Sequence, residues 1–461
     1  MKQALAPPTT PRPRSSRPPR ATDDGVLRAA RRAADTLPGY RDHLASSGVD
    51  PAGLRSLSDV PYLDRATVFG EGLSRWIEAP RMRQALELRT SGGVRGGTLT
   101  VGVSSRTERA ELARLNDAAL RGMGASRGSP TLLLSCYATG VSIPATLATI
   151  ASPSVHLEMA LEILMGYGPA FERVVILGEP TFLKELAELG HELAGPQWTP
   201  VPTFMVVGGE WVAESWRAYV GSLTTFGAVT GGEGIRIVMG PPELGLHCLA
   251  ETPALREARG LLQDPGARRD LFGHDPGYPP VLFAHHPEQL FLEERVHPSG
   301  EKTLVATTLL PRLLPLVRYD LGEVIDILPG ERLSSYAQER GNALSVAGPV
   351  VAAWGGMARG SGRGWSLRAE LVKERLLLRT ADAARVTGRF HLLDAGGRPR
   401  LHVQLRNGAA ARPGLAADLE AFLASVAGVR GEVLLHHYRE YPFHLPGDHQ
   451  HLPRYVAAAA A

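Results

Sequence analysis

Apolar positions along the chain recur with two different periods, and the alternation between them sets the first expectation for the fold. Between Asp24 and about Ser47, residues Leu27, Ala30, Ala33, Ala34 and Leu37 fall at helical spacing, and a turn-rich stretch up to Arg65 follows; together they predict an N-terminal helical cap. From Thr131 onward, short buried-strand runs (TLLLSCY, RVVIL, TFMVVGG, IRIVMG) alternate with helical stretches near residues 157–164, 181–193 and 213–226. That alternation predicts an α/β fold with a largely parallel sheet covered by helices. After Pro280 the helical period fades and strand-like runs follow one another (VLFAHH, QLFLEERV, KTLVATTLL, VIDIL), predicting a β-rich subdomain over about residues 280–330.

Glycine then takes over in SVAGPVVAAWGGMARGSGRG, which places a hinge near Gly348. The expected organisation is a large N-terminal domain of mixed or parallel sheets over residues 23–347 and a small, mobile α+β C-terminal domain over 348–461. Residues 1–22, with Pro7, Pro8, Pro11, Pro13, Pro18 and Pro19 among scattered basic residues, lack both the apolar core of a signal peptide and an amphipathic period, and are expected to be a disordered extension.

Composition narrows the partners. The 461 residues are 44% hydrophobic and 21% charged, enough for more than one core. The 50 Lys+Arg are spread against 47 Asp+Glu, so no basic block argues for nucleic acid. Only Cys136 and Cys248 are present, and no uninterrupted apolar run reaches the ~18 residues of a membrane span. A cytoplasmic protein with a small-molecule partner is expected. Lysine occurs only at Lys2, Lys184, Lys302 and Lys373, the other cations being arginine.

Four segments carry candidate chemistry. Thr90-Ser91-Gly92-Gly93-Val94-Arg95-Gly96-Gly97-Thr98 can turn backbone N–H groups and hydroxyls onto an anion, and suits a glycine-rich hairpin equally well. Gly208, Gly209 and Glu210 follow a buried strand and precede a helix, at the strand end where open α/β sheets bind ligands. IRIVMGPPELGLHC empties a second strand into a turn bearing Glu243, a carboxylate able to hold Mg2+ beside a triphosphate or simply to cap a turn. Finally, Arg318, Asp320 and Glu323 interrupt the apolar LLPLVRYDLGEVIDIL, and charges in such a run need partners or a ligand. His247, Cys248, His285 and His286 include zinc-ligand types, but a single cysteine at irregular spacing makes a poor tetrahedral set. Cys136 ends a buried strand and reads as core.

In this order the segments resemble the signature of the adenylate-forming synthetases, specifically the phenylacetate-CoA ligase-like group, and the resemblance runs from about Tyr40 to Tyr455. It implies that Thr90, Ser91, Gly92, Gly93 and Thr98 hold ATP phosphates, that Gly208, Gly209 and Glu210 lie beside adenine, and that Met239 and Gly240 flank the acyl-adenylate. It further implies that Glu243 helps hold Mg2+ and that Glu323 takes the place of the ribose-binding aspartate. Departures are equally plain. The loop has Val94 and Arg95 and no lysine, Met239 replaces a tyrosine, Pro349 stands where the hinge arginine belongs, and no lysine follows Lys373. Arg95 is then the electrostatic substitute for the loop lysine, and the tail offers Arg439, His444, His451 and Arg454 as replacements for the missing C-terminal lysine, or as solvated residues.

The implied activity is ATP-dependent conversion of an aryl or related small carboxylic acid to acyl-AMP, followed by transfer to CoA, a carrier-protein thiol or an amine, as in specialised metabolism. Glu243, Arg95 and Arg318 are its catalytic candidates, and the small domain rotates between half-reactions. A homodimer is compatible with the resemblance. The competing expectation is an acyltransferase or hydrolase that keeps the fold without using ATP; a non-catalytic binding protein would leave Glu210, Glu243, Arg318 and Glu323 unexplained.

Overall fold

The computed structural model describes residues 23–90, 99–137, 143–199, 201–225, 234–245, 248–357, 359–362 and 364–443. The expected N-terminal extension lies outside them. The first helix, Asp23–Thr36, buries Val26, Leu27, Ala29, Ala30, Ala33 and Ala34 on one stripe, and with the helix Pro38–Ser46 it forms the cap. A separate hairpin of β1 (Ala85–Thr90) and β2 (Val101–Ser105) follows. The helix Arg106–Arg121 opens with the capping box of Ser105 and Glu108 that the sequence predicts.

The strands β3 (Thr131–Ser135), β4 (Thr149–Ala151), β5 (Arg173–Gly178), β6 (Thr203–Val207) and β7 (Ile235–Met239) pair in parallel, as their continuous apolar runs require when both faces are covered. The strands β8 (Leu249–Ala250), β9 (Val281–His285), β10 (Leu290–Val296), β11 (Lys302–Thr308), β12 (Tyr319–Pro329) and β13 (Pro349–Gly356) pair antiparallel. The β-rich stretch is not a separate layer: β8 joins both halves into one sheet with the order β10-β11-β12-β13-β9-β8-β7-β6-β5-β3-β4.

Gly348 has the left-handed φ of 72° suited to a hinge, yet β13 directly after it pairs with β12 and β9 in the large sheet. The smaller unit therefore separates only beyond Gly356. It holds the hairpin of β14 (Arg359–Gly362) and β15 (Trp365–Arg368), the helix Ala369–Leu377, and a sheet of β16 (Val386–Asp394), β17 (Pro399–Leu405) and β18 (Glu432–His436) backed by the helix Leu415–Ala427.

One apolar core spans both units, from Leu132 and Ile176 in the parallel sheet through Trp211, Trp216, Val372 and Leu376 to Leu401 and Leu419. Polar ties reinforce it. Lys184 is 1% exposed, with its Nζ 2.5 Å from Glu188 and 2.7 Å from the Val386 carbonyl of β16. Burial drives the Lys184 ammonium down and the Glu188 carboxyl up, toward neutrality. Tyr219 donates to Glu188 at 2.8 Å, and Arg406 of the smaller unit sits 3.0 Å from its second oxygen. Ala213 cannot cap the helix Glu214–Ser222, and Glu374 does so from the smaller unit, accepting from the backbone N–H groups of Glu214 and Ser215 at 3.1 and 3.0 Å. Because Leu376 is 1% exposed in this shared core, L376A should lower stability by about 2–5 kcal/mol. Urea unfolding followed by tryptophan fluorescence and by circular dichroism should show that loss as one coincident transition; separate transitions would mean two independent cores.

Candidate functional site

The carboxyl ends of β3, β5, β6 and β7 point one way and carry, in turn, Tyr137, Glu179, Gly208–Glu210 and Met239–Glu243. Crevices form there because the loops leaving parallel strands diverge. Gly208 is required by crowding: a Cβ would lie 2.8 Å from Tyr137 Oη and 3.2 Å from the Val238 carbonyl. Gly209 adopts φ 98°, open to glycine at little cost. Glu210 pairs with Lys373 at 2.5 Å, the two side chains 6% and 10% exposed. The smaller unit thus brings a lysine to the strand ends after all, from its first helix rather than from its tail.

Glu243 is 5% exposed. Its Oε1 accepts from Tyr319 of β12 at 2.9 Å, while its Oε2 is buried with no hydrogen-bond partner among the described residues. Gly102 of β2 packs onto this turn so tightly that a Cβ would fall 2.0 Å from the Pro242 carbonyl. β1 ends at Thr90 and β2 begins at Val101. Ser91, Gly92, Gly93, Arg95 and Thr98 lie outside the described residues, and Thr90 is half-buried at the strand end. Met239 gives its carbonyl to the Cys248 thiol at 3.4 Å, and Gly240 begins the turn to Glu243.

Glu323 lies opposite Gly356 in the β12–β13 ladder. Its charge helps keep the buried Glu370 carboxyl above the usual range, burial being the main cause and Lys373 opposing it. The helix Ala369–Leu377 therefore faces Glu210 through Lys373 and Glu323 through Glu370. Arg318 stands apart. Its guanidinium donates to Glu293 at 3.2 and 3.0 Å and to the carbonyls of Leu57 and Val60 at 3.0 and 2.6 Å, with Tyr62 stacked 3.9 Å below. Its donors are taken up in bracing the cap against β10, at a residue with the uncommon φ of 49°.

Sequence reasoning missed Glu179. It follows β5 in LGEP, the same strand-end position that singled out Glu210, so the signal was available. Its carboxyl is pushed up to about 7 by burial, with the Glu210 charge adding to the rise and Arg389 opposing it. Among possible zinc ligands, His247 lies outside the described residues; burial takes His285 down to about 4 and Cys248 up to about 12. Among the described residues no three His, Cys, Asp or Glu side chains stand where they would hold a metal ion by themselves. A single carboxylate with a buried, unpartnered oxygen does suit Mg2+, which takes its remaining ligands from substrate phosphates and water.

Comparison with solved structures bears on this arrangement. The chain is similar to 2-hydroxyisobutyryl-CoA ligase in the post-adenylation state with 2-HIB-AMP, at TM-score 0.66 and 16% identity over 94% of this chain and 89% of that one. This is the adenylate-forming ligase fold. Against the same ligase in an open conformation with 2-HIB-AMP and CoA the TM-score is 0.53, over 95% and 91%. Against its thioesterification state it is 0.52, over 94% and 89%. No family model matches the chain, and no curated protein does. Within this fold the turn after β7 carries Glu243, and Tyr319 of β12 fixes it.

Two outcomes follow from these geometries. Y319F removes the hydrogen bond that holds the buried Glu243 carboxylate among the described residues and should cost about 1–3 kcal/mol, measured by chemical denaturation; an unchanged midpoint would show that Glu243 has other support. Glu179 has a folded-state pKa above its unfolded value, so the folded state binds the extra proton and stability falls as pH rises from about 4.5 through about 7. Its contribution is on the order of 3 kcal/mol, and E179Q should flatten the decline between about pH 5 and pH 8 in pH-dependent denaturation midpoints.

Proposed function

We propose that this chain activates a carboxylic acid with ATP as an acyl-adenylate and passes the acyl group to a thiol of CoA or a carrier protein, or to an amine. The observation that carries the reading is Glu243, with one oxygen held by Tyr319, the other buried and without a hydrogen-bond partner among the described residues, and β2 packed against its turn. The substrate carboxylate attacks the α-phosphorus of ATP, its oxygen bonding to phosphorus as the bond to pyrophosphate breaks. Mg2+ at Glu243 would supply charge neutralisation to the phosphates.

The chain's own part is placement and electrostatics rather than a covalent nucleophile. Thr90, Ser91, Gly92, Gly93 and Thr98 are assigned to the phosphates, with Arg95 as their cation. Gly208, Gly209 and Glu210 are assigned to the adenine side, Met239 and Gly240 to the acyl-adenylate, and Glu323 to the ribose. Arg318 contributes through the frame it braces. The acid is proposed to be aryl or a related small acid, and the protein to work in the cytoplasm. No helix among the described residues is long and apolar enough to cross a membrane.

One observation favours the second reading, an ATP-independent acyltransferase or hydrolase: the Lys373–Glu210 pair closes on the segment assigned to adenine. Pyrophosphate release with a panel of aryl and alkyl carboxylates separates the two. Release that depends on both acid and ATP, and that falls ~10²-fold or more in E243Q, is expected. Consumption of thioester without nucleotide, with no pyrophosphate from any acid, would establish the second reading instead.

A further inference from the structure

We propose that Arg312, from the segment between β11 and β12, binds the phosphate chain of the nucleotide beside Glu243. This rests on the acid-activating reading above and gives it a phosphate-binding cation outside the glycine loop.

The backbone around Arg312 is clamped from two sides. Arg81 donates to the carbonyls of Arg312 and Leu313 at 2.7 and 2.9 Å. The Leu313 N–H donates to the Glu108 carboxylate at 3.3 and 3.4 Å, and the same carboxylate accepts from the Ser105 N–H at 2.8 Å. Residues 312 and 313 are thus tied to the end of β2. The guanidinium comes to lie just beyond the Glu243 turn, with Nη1 3.8 Å from where a Cβ on Gly245 would stand. Gly245 has a φ of 97°, a conformation that glycine adopts at little cost, and it puts no side chain in front of the guanidinium.

Other arginines with little exposure have their partners. Arg217 is paired with Glu251, Arg268 with Asp275 and Arg318 with Glu293. The half-buried Arg312 engages its carbonyl, while its guanidinium has no hydrogen bond and no ion pair among the described residues. Burial pulls it below the usual arginine range, with Glu108 the largest opposing influence. Arginine stays protonated all the same. A desolvated charge without a partner costs free energy, and a bound anion offsets that cost.

Two further groups around this turn lack partners. Oε2 of Glu243 is buried without one, and at the entry to β2, two residues ahead of Gly102, Thr100 is 0% exposed with its hydroxyl unmatched among the described residues. A carboxylate, a hydroxyl and a guanidinium left open in this way suit a metal-bound phosphate. The carboxylate takes Mg2+, and the guanidinium takes phosphate oxygens through two parallel N–H donors. Of the two anionic reactants, the triphosphate carries its charge along three linked groups and can meet both Mg2+ and the guanidinium. The substrate carboxylate has to stay free to attack the α-phosphorus.

Titration calorimetry on the full chain tests this with Mg-ATP, Mg-pyrophosphate and AMP as probes. R312M keeps an unbranched stem and removes the charge, while R312K keeps the charge and loses the fork. R312M should weaken Mg-ATP and Mg-pyrophosphate ~10-fold or more and leave AMP within about 2-fold, with R312K in between. In steady state, KM for ATP should rise while KM for the acid holds. Removal of an unpaired charge should also leave the urea midpoint unchanged or raised, which a bracing residue would not do. A lowered midpoint with unchanged Mg-ATP affinity overturns the proposal, as does a rise in KM for the acid alone or a wild-type chain that does not bind Mg-pyrophosphate. If no acid supports pyrophosphate release by the wild-type chain, the acid-activating reading fails instead, and the Mg-pyrophosphate titrations of wild type and R312M still decide the role of Arg312.

Discussion

The helix Ala369–Leu377 meets the segment after β6 with charges and amides matched across the contact, and the condition of the strand ends depends on that match. A parallel sheet gathers its loop ends on one side, where carboxylates lose water without gaining the regular partners that a ladder gives. Glu210, Glu370 and Glu374 are all in this position. Lys373 neutralises the first, the amides of Glu214 and Ser215 satisfy the third, and the second is pressed against Gly355, where a Cβ would come within 2.1 Å of its oxygen. Without the helix the segment Gly208–Glu210 would lose the Lys373 ammonium, and the helix that follows it would lose its cap.

Lysine scarcity takes on meaning in this setting. Two of the few lysines, Lys184 and Lys373, sit in tight ion pairs of 2.5 Å with carboxylates between the units. A compact ammonium fits where a planar guanidinium needs room for its fork. The arginines work elsewhere: Arg217 takes both oxygens of Glu251, and Arg318 both of Glu293, in bidentate pairs that fix orientation as well as charge.

Much of the large domain was legible because its strands are buried on both faces. Runs such as RVVIL and TFMVV leave little room for another reading, and the helices near residues 181–193 and 213–226 appear as Pro180–Ala194 and Glu214–Ser222. What periodicity could not convey is pairing over distance. Nothing local in PVVAAWGG says that it joins β12 and β9, so the apparent hinge at Gly348 lies at the entrance to a central strand. In the site, strand-end carboxylates were visible as residue types, and Glu179 obeyed the same rule unnoticed. The partners of those carboxylates were not visible. Tyr319 reaches Glu243, and Lys373 reaches Glu210, through contacts that only the folded chain creates.

Gly102 carries a consequence for how this molecule can change. With the Pro242 carbonyl lodged where a side chain would begin, β2 and the turn that bears Glu243 meet backbone against backbone at this position. Any side chain at residue 102 would have to displace that turn, so an engineer regrafting either segment has to preserve the close approach between them.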